Sequence, residues 1–404
     1  MQASEFPSKT HILLAGSLIV TATSQSSSSP VICLRTLTGE EHTLACPTAY
    51  SENITAIVLD QGAPSNRRIR LAAFLSSGEF RVFCVNHDLP SSSYAELAYT
   101  PSRRSNRTCP IIHAAYHHPL LITLSETFTI SVYDLSSGSA VLMQTLGSFT
   151  SFPPTSLVLS RSSTSTYKLV IAYAIPVYPA HWTVGATELM IAGPASISEL
   201  PQSSSLLISE PHTPMTIIHT RTTRALDVPQ GWVDERKLSA MREQWTRKVA
   251  SVADTQTDGK WVVLAPDDPS LRSSLPSSSP SGPPPSKFSG TSLYSFTGLQ
   301  LYRLSFPSLT SVSSATPKLT FVRTLHGQLG PVAALSLSDG RCVSIGVNGS
   351  IWVWDLESTL GTEIAGPSFD VDRTLVDAKR GIVFDERRIV TSTNEHVVER
   401  RFDI

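Results

Sequence analysis

Residues 321–357 read FVRTLHGQLGPVAALSLSDGRCVSIGVNGSIWVWDLE. His326-Gly327 precedes the first apolar run, Ser338-Asp339-Gly340 supplies a turn, and the stretch closes on Trp354-Asp355. Between the turns, apolar residues alternate with small or polar ones. Alternation with a period of two is what a half-buried strand needs. The stretch therefore predicts a small antiparallel sheet ending on a large aromatic.

The unit recurs along the chain. Residues 341–356, RCVSIGVNGSIWVWDL, serve as the ruler. Residues 70–86 align without a gap and put Ala73 at Ser344, Gly78 at Gly349 and Phe83 at Trp354. Residues 120–135 also align without a gap, with Thr123, Tyr133 and Asp134 at Ser344, Trp354 and Asp355. Residues 290–304 put Ser292 at Ser344 and Tyr302 at Trp354. Residues 388–403, with one extra residue, give Thr391 and Phe402. Weaker copies cover 18–37 and 168–191. In each, a small residue lets sheets approach closely and an aromatic offers a broad apolar surface to the next sheet. Repeats of this kind predict an all-β propeller. The count is seven blades, or six if 168–191 is not one.

The predicted domain is a single propeller over 1–404, with blades at 9–47, 53–100, 110–147, 153–210, 213–308, 318–366 and 372–404. Two insertions sit in the fifth. Residues 232–250 read WVDERKLSAMREQWTRKVA, with Leu238, Met241, Trp245 and Val249 on one helical face, Asp234 as N-cap and Glu243–Arg247 as a favourable pair. The plainer expectation is a helix lying on the rim with its apolar stripe buried; the sharper one is a helix presented to a partner. Residues 267–289 are rich in Ser and Pro, which offer little surface to bury, and predict a disordered loop. This register places that loop on the face opposite the helix. The last copy ends on its third strand, so closing the ring falls to residues 4–9 or to chain preceding them.

Composition agrees with an all-β chain. Of 404 residues, 41% are hydrophobic and only 16% charged, with Ser and Thr covering much of the surface. A formal net charge of -1 gives no general attraction to nucleic acid or an anionic membrane. Five cysteines without a C-x-x-C argue against a zinc site or disulfide framework and fit a reducing cytoplasmic or nuclear compartment. Residues 12–22, ILLAGSLIVTA, also match the apolar part of a secretion signal. The alternative is two strands joined at Gly16-Ser17.

Residues 321–357 resemble a WD repeat, and the likeness extends in eroded form over nearly the whole chain. The resemblance implies a structural hydrogen-bond tetrad of His326, Ser344, Asn348 and Trp354, with Asn348 in the place of the usual Asp. Residues 381–404, GIVFDERRIVTSTNEHVVERRFDI, are similar to the C-terminal end of fungal F-box/WD-repeat proteins. That likeness implies a substrate receptor of a ubiquitin ligase, although no F-box precedes the propeller in this sequence.

No phosphate-cradling loop, H-E-x-x-H, G-x-S-x-G or G-x-G-x-x-G occurs, so no cofactor and no catalytic or metal residues are expected. His117-His118 reads as a solvated turn rather than a metal site. In a propeller, the connections between blades share a face with those between second and third strands. That face receives Arg103, Arg104 and Arg107, and also Arg236, Arg242 and Arg247. Converging guanidinium groups suit an acidic or phosphorylated peptide. The expected function is a non-catalytic protein-interaction platform, possible ligase components included, with no nucleic-acid or membrane partner. The alternatives are a propeller-fold hydrolase, which needs buried acids converging on the channel, and a secreted propeller if 12–22 is a signal.

Overall fold

The computed structural model describes residues 10–62, 67–101, 109–163, 165–177, 180–193, 215–226, 234–267, 298–307, 316–367, 380–393 and 396–402. Seven antiparallel sheets are built from consecutive strands. The first holds β1 (Thr10–Ala15), β2 (Leu18–Thr23), β3 (Val31–Arg35) and β4 (Glu41–Ala45). The second holds β5 (Ile54–Leu59), β6 (Arg68–Leu75), β7 (Phe80–Asn86) and β8 (Tyr94–Tyr99). The third holds β9 (Ile111–His117), β10 (Leu120–Ser125), β11 (Thr129–Asp134) and β12 (Val141–Gly147). The fourth holds β13 (Phe152–Arg161), β14 (Thr166–Val177), β15 (His181–Ala192) and β16 (Thr216–Arg224). After the helix α1 (Glu235–Trp245), the fifth holds β17 (Ser251–Thr257), β18 (Trp261–Asp267), β19 (Leu299–Ser305) and β20 (Lys318–Leu325). The sixth holds β21 (Val332–Ser338), β22 (Arg341–Gly346), β23 (Ile351–Asp355) and β24 (Leu360–Ala365). The seventh shows β25 (Gly381–Phe384), β26 (Arg388–Ser392) and β27 (Val397–Arg401).

The first strand of each sheet contacts the first strand of the next, and β25 contacts β1. The protein is a closed, seven-bladed β-propeller. Its core is divided into seven apolar seams, one between each pair of blades. A strand sandwiched between two seams reads as a continuous apolar run. In β6, Leu71, Ala73 and Leu75 face the first blade, while Ala72 and Phe74 face the third. Residues 12–22 form the inner hairpin β1–β2 around Gly16, with Leu18 and Val20 in the first seam. A leader cut from this region would remove half of the first blade.

Several strands differ from the sequence expectation. Thr216–Arg224, expected in the fifth blade, is the outer strand of the fourth, and Lys318–Leu325, expected in the sixth, is the outer strand of the fifth. In the fifth blade, β18 partners β19, with Val262 opposite Tyr302 as Cys342 is opposite Trp354. Leu264 therefore takes the position assigned to Ser292, which lies outside the described residues. A long insertion inside the hairpin hid its true first strand. In the seventh blade, Arg400 rather than Phe402 stands opposite Ile389 and so matches Trp354.

The expected tetrad is also rearranged. Trp354 Nε1 donates to Ser344 Oγ (3.0 Å), and the Ser344 hydroxyl donates to Gln328 Oε1. Gln328, fully buried, donates from Nε2 to Ser350 Oγ, which donates to Asn348 Oδ1 (2.7 Å). His326 is exposed and outside this network. The chain delivers Gln328 instead because Gly327 turns at φ +149, where a Cβ would lie 2.6 Å from the Trp352 ring.

Among the described residues, the seam between blades seven and one has the smallest apolar core: Ile12, Ile19 and Val390 with partly buried neighbours. Arg388, 4% exposed, supplements it. Its guanidinium binds Asp385 (2.8 Å) and Glu399 (3.5 Å) in its own blade and donates to the Gly16 carbonyl of the first. Arg388→Met is expected to lower stability by about 1 kcal/mol, because it removes charge-assisted bonds whose partners Asp385, Glu399 and the Gly16 carbonyl keep access to water; a urea midpoint within error of wild type would refute this. Gln328→Ala and Ser344→Ala should each cost about 1–2 kcal/mol in the same assay, and His326→Ala less than about 0.5 kcal/mol. The reverse ranking would restore the histidine tetrad.

Candidate functional site

The connection from β16 to β17 carries α1. Asp234 caps it, its Oδ1 accepting from the Lys237 amide (2.8 Å), and the Thr246 amide closes the last turn on the Arg242 carbonyl. Beyond α1, the far end of the segment is fastened to the propeller. Val249 is buried and exchanges both backbone hydrogen bonds with Trp182 at the start of β15. The Arg247 carbonyl accepts from Gln300 Nε2 (2.8 Å). Met241 and Trp245 are half-buried, and Leu238 is 40% exposed. No helix residue is fully buried. The stripe is thus covered at its C-terminal end and open at its N-terminal end, a correction to the helix buried along its length.

The six arginines separate into three groups. Arg236 and Arg242 are exposed, with Arg242 one turn from Leu238 on the same helical face. Arg247 is committed to the fold: its guanidinium pairs with Glu243 and lies 4.1 Å from the centre of the Phe321 ring. It is not available to a partner in the way the sequence suggested. Arg103, Arg104 and Arg107 lie outside the described residues.

The face around α1 has further exposed apolar groups. Phe149, between β12 and β13, is 97% exposed. Phe152 packs edge-on against Trp182, 5.7 Å between centres, and so connects that corner to the end of the α1 segment. The Ser/Pro-rich segment leaves from this same face rather than the opposite one. Asp267, its first residue, pairs with Ser251 at the start of β17, just beyond the helix. The sequence register had misplaced it by assigning the wrong first strand to that hairpin. The rest of the segment lies outside the described residues.

Three carboxylates, Glu188, Asp254 and Glu52, are held in structural roles. Glu188 is buried on the third strand of blade four, with Arg221 and Lys168 (3.0 Å) on its two oxygens and both cations over the Phe306 ring. Asp254 Oδ2 accepts from the Leu335 amide (2.7 Å) and so joins blades five and six. Glu52 accepts from the Ser77 amide (3.2 Å). None of these three belongs to a converging acid pair of the kind a hydrolase needs. At the β9–β10 turn, the His118 amide donates to Asp60 (3.0 Å) and its ring meets the Tyr116 hydroxyl (3.3 Å). No group of three metal-binding side chains occurs among the described residues, and none of their helices is long and apolar enough to cross a membrane.

What this arrangement can do is hold a polypeptide. It offers a rigid ring, a partly uncovered amphipathic helix and exposed aromatic groups on one face. Comparisons with solved structures return matches at low identity. The Cps50 (Swd1) β-propeller domain of Myceliophteria thermophila is 9% identical, with 98% of this chain and 100% of that one covered and a TM-score of 0.48. Sqt1 of Saccharomyces cerevisiae is 11% identical over 96% and 82%, TM-score 0.44, and the designed Ika8 protein is 11% identical over 98% and 97%, TM-score 0.40. No curated protein matches. Residues 22–283, well over half the chain, match the family described as the F-box protein pof12 beta-propeller, and the chain belongs to that family.

Proposed function

We propose that this propeller is a non-catalytic holder of protein partners, the substrate-recognition part of an F-box/WD-type ubiquitin-ligase receptor working in the cytoplasm or nucleus. Family membership supports the ligase setting. The observation that carries the binding face is the open end of α1, where exposed Leu238 stands beside Arg242 with Arg236 on the same two turns. An apolar side chain on a solvated helix gains from being covered, and neighbouring guanidinium groups favour a partner that brings carboxylates or phosphates. The partner class is therefore an acidic or phosphorylated peptide with an apolar anchor. Arg103, Arg104 and Arg107 belong to the same proposal through their place in the chain, since their segment joins β8 to β9 between two blades.

Affinity capture with quantitative mass spectrometry tests this. Partners recovered with wild type should fall at least about tenfold with Arg236→Glu/Arg242→Glu and with Leu238→Asp, since each substitution removes roughly 1.4 kcal/mol or more of favourable contact. The same partners should be lost after phosphatase treatment if phosphate is the recognised group, and kept if carboxylates suffice. Unchanged recovery with both variants would sink the α1 face. Arg247→Ala should instead lower the unfolding midpoint, by about 1 kcal/mol, through loss of the stacked Phe321 contact.

A further inference from the structure

The second residue of the third strand plays the same part in three blades. In blade two, Arg81 stands opposite Ala73 and reaches the Pro47 carbonyl (2.6 Å), in the connection from β4 into β5. In blade six, Trp352 stands opposite Ser344 and packs on Gly327, in the connection from β20 into β21. In blade five, Gln300 stands opposite Leu264, two residues before Tyr302 as Trp352 is two before Trp354. Its Nε2 donates to the Arg247 carbonyl (2.8 Å), in the connection from β16 into β17. In each case the side chain supports the backbone of the segment that enters its own blade. The chemistry differs (a guanidinium, an indole and a carboxamide), while the place in the register is the same.

The segment supported in blade five is the one that holds α1. The Arg247 amide donates to the Gln244 carbonyl in the last turn (3.1 Å), so residue 247 bonds to the helix with its N–H and to the ring with its C=O. Two residues on, Val249 exchanges backbone bonds with Trp182 of blade four (2.8 and 3.0 Å). One attachment leaves a pivot, whereas two attachments on neighbouring blades define a direction. The Val249 bridge sets where the segment meets the ring, and the Gln300 bond sets how the helix leaves it.

Gln300 is itself held. The Tyr302 hydroxyl donates to its Oε1 (2.7 Å), which turns Nε2 toward Arg247. Tyr302 is 2% exposed, and burial pushes its phenol up to about 12, so the proton stays on the donor. Phe321, opposite Tyr302 on β20, meets that ring edge-on at 5.6 Å and carries the Arg247 guanidinium over its own ring. Backbone and side chain of Arg247 are thus gripped by neighbouring residues of one sheet.

We propose that Gln300 is a positioning residue for α1: by holding the Arg247 carbonyl it fixes the angle at which the helix presents Leu238 and Arg242. This role rests on the reading of α1 as the partner-binding face and names what holds that face in place. A helix already oriented spares a partner part of the ordering cost of binding.

Hydrogen–deuterium exchange of the full chain, read by mass spectrometry, tests this without a partner. Gln300→Met keeps the length of the side chain and removes the donor. Exchange across residues 238–249 should rise about fivefold, the effect of one neutral hydrogen bond on local opening. Tyr302→Phe, which leaves the Gln300 amide unoriented, should raise exchange in the same peptides by a smaller factor. Arg81→Met, at the same place in blade two, should loosen residues 46–53 and leave α1 as in wild type. In affinity capture, Gln300→Met should recover about threefold less partner, although Gln300 lies on the ring and not on the helix. Unchanged exchange across α1 in Gln300→Met, or an equal rise across α1 in Arg81→Met, would overturn the proposal. So would full capture by Gln300→Met in an assay where Arg236→Glu/Arg242→Glu loses its partners. If that double variant also captures normally, the α1 face fails, and the exchange result still decides the role of Gln300.

Discussion

Side-to-side apolar packing between blades is the interaction on which everything else in this molecule depends. No blade has a core of its own. A four-stranded sheet exposes two faces, and each is buried only by a neighbour, so seven sheets need seven seams and the last must close on the first. Among the described residues the closing seam has the fewest buried apolar side chains, and polar contacts span it. Arg388 reaches across to Gly16, and Ser392 Oγ donates to the Thr10 carbonyl (3.4 Å). A similar latch recurs elsewhere on the same rim. Asp60 accepts from His118 between blades two and three, and Asp258 accepts from Gly340 (3.0 Å) between blades five and six. The turn from first to second strand in one blade thus binds the corresponding turn of the next.

Because the seams carry the stability, the hydrogen bond inside a blade is free to change chemistry. Blade six joins Trp354 to Ser344; blade seven makes the equivalent bond from Arg400 to Thr391 (3.4 Å); blade two has Ala73 and Phe83 there and makes none. Such a bond is worth about 1 kcal/mol, whereas a buried Leu or Phe side chain contributes about 1.5–3 kcal/mol. Losing one member of the network is tolerable when the facing blade supplies another apolar contact. This accounts for one well-marked repeat among several worn ones.

The same balance decides what the sequence revealed. The inner hairpins were legible because both faces of their strands are buried, which fixes small residues, turns and aromatics at set intervals. Arg70–Asn86 and Leu120–Leu135 could be aligned without a gap, and the sheets keep that register. Outer strands are half solvated, so Thr216–Arg224 and Lys318–Leu325 carried little pattern beyond alternation and were given to the wrong blades. In blade five, the chain between Asp267 and Leu299 separates two strands that read as neighbours elsewhere. For the tetrad, a histidine two residues from the buried glutamine matched the resemblance better than the geometry. Gly327 was the clue, since a residue at φ +149 redirects the chain. The half-covered state of α1 was not legible at all, because a helical period locates an apolar face without saying what lies against it.

The latches also explain why binding surfaces should gather on one side of the ring. On the latched face, three of the first-to-second-strand connections are tight turns, Gly16-Ser17, His118-Pro119 and Asp339-Gly340, while the one that begins at the latch residue Asp60 runs over 60–67. Each of these three turns is tied to the preceding blade around the ring, and inserting residues there would pull a seam apart. Connections on the other face, between blades and between second and third strands, bear no such load, because the strands they join are already positioned by packing. Chain can be added to them at small entropic cost, since closing a loop grows only with the logarithm of its length. The segment holding α1 and the one leaving β18 at Asp267 both exploit that freedom, and so does the exposed corner at Phe149. A scaffold that must stay rigid while its recognition groups diversify has to separate the two tasks in space. Here the separation follows from which turns hold the ring together.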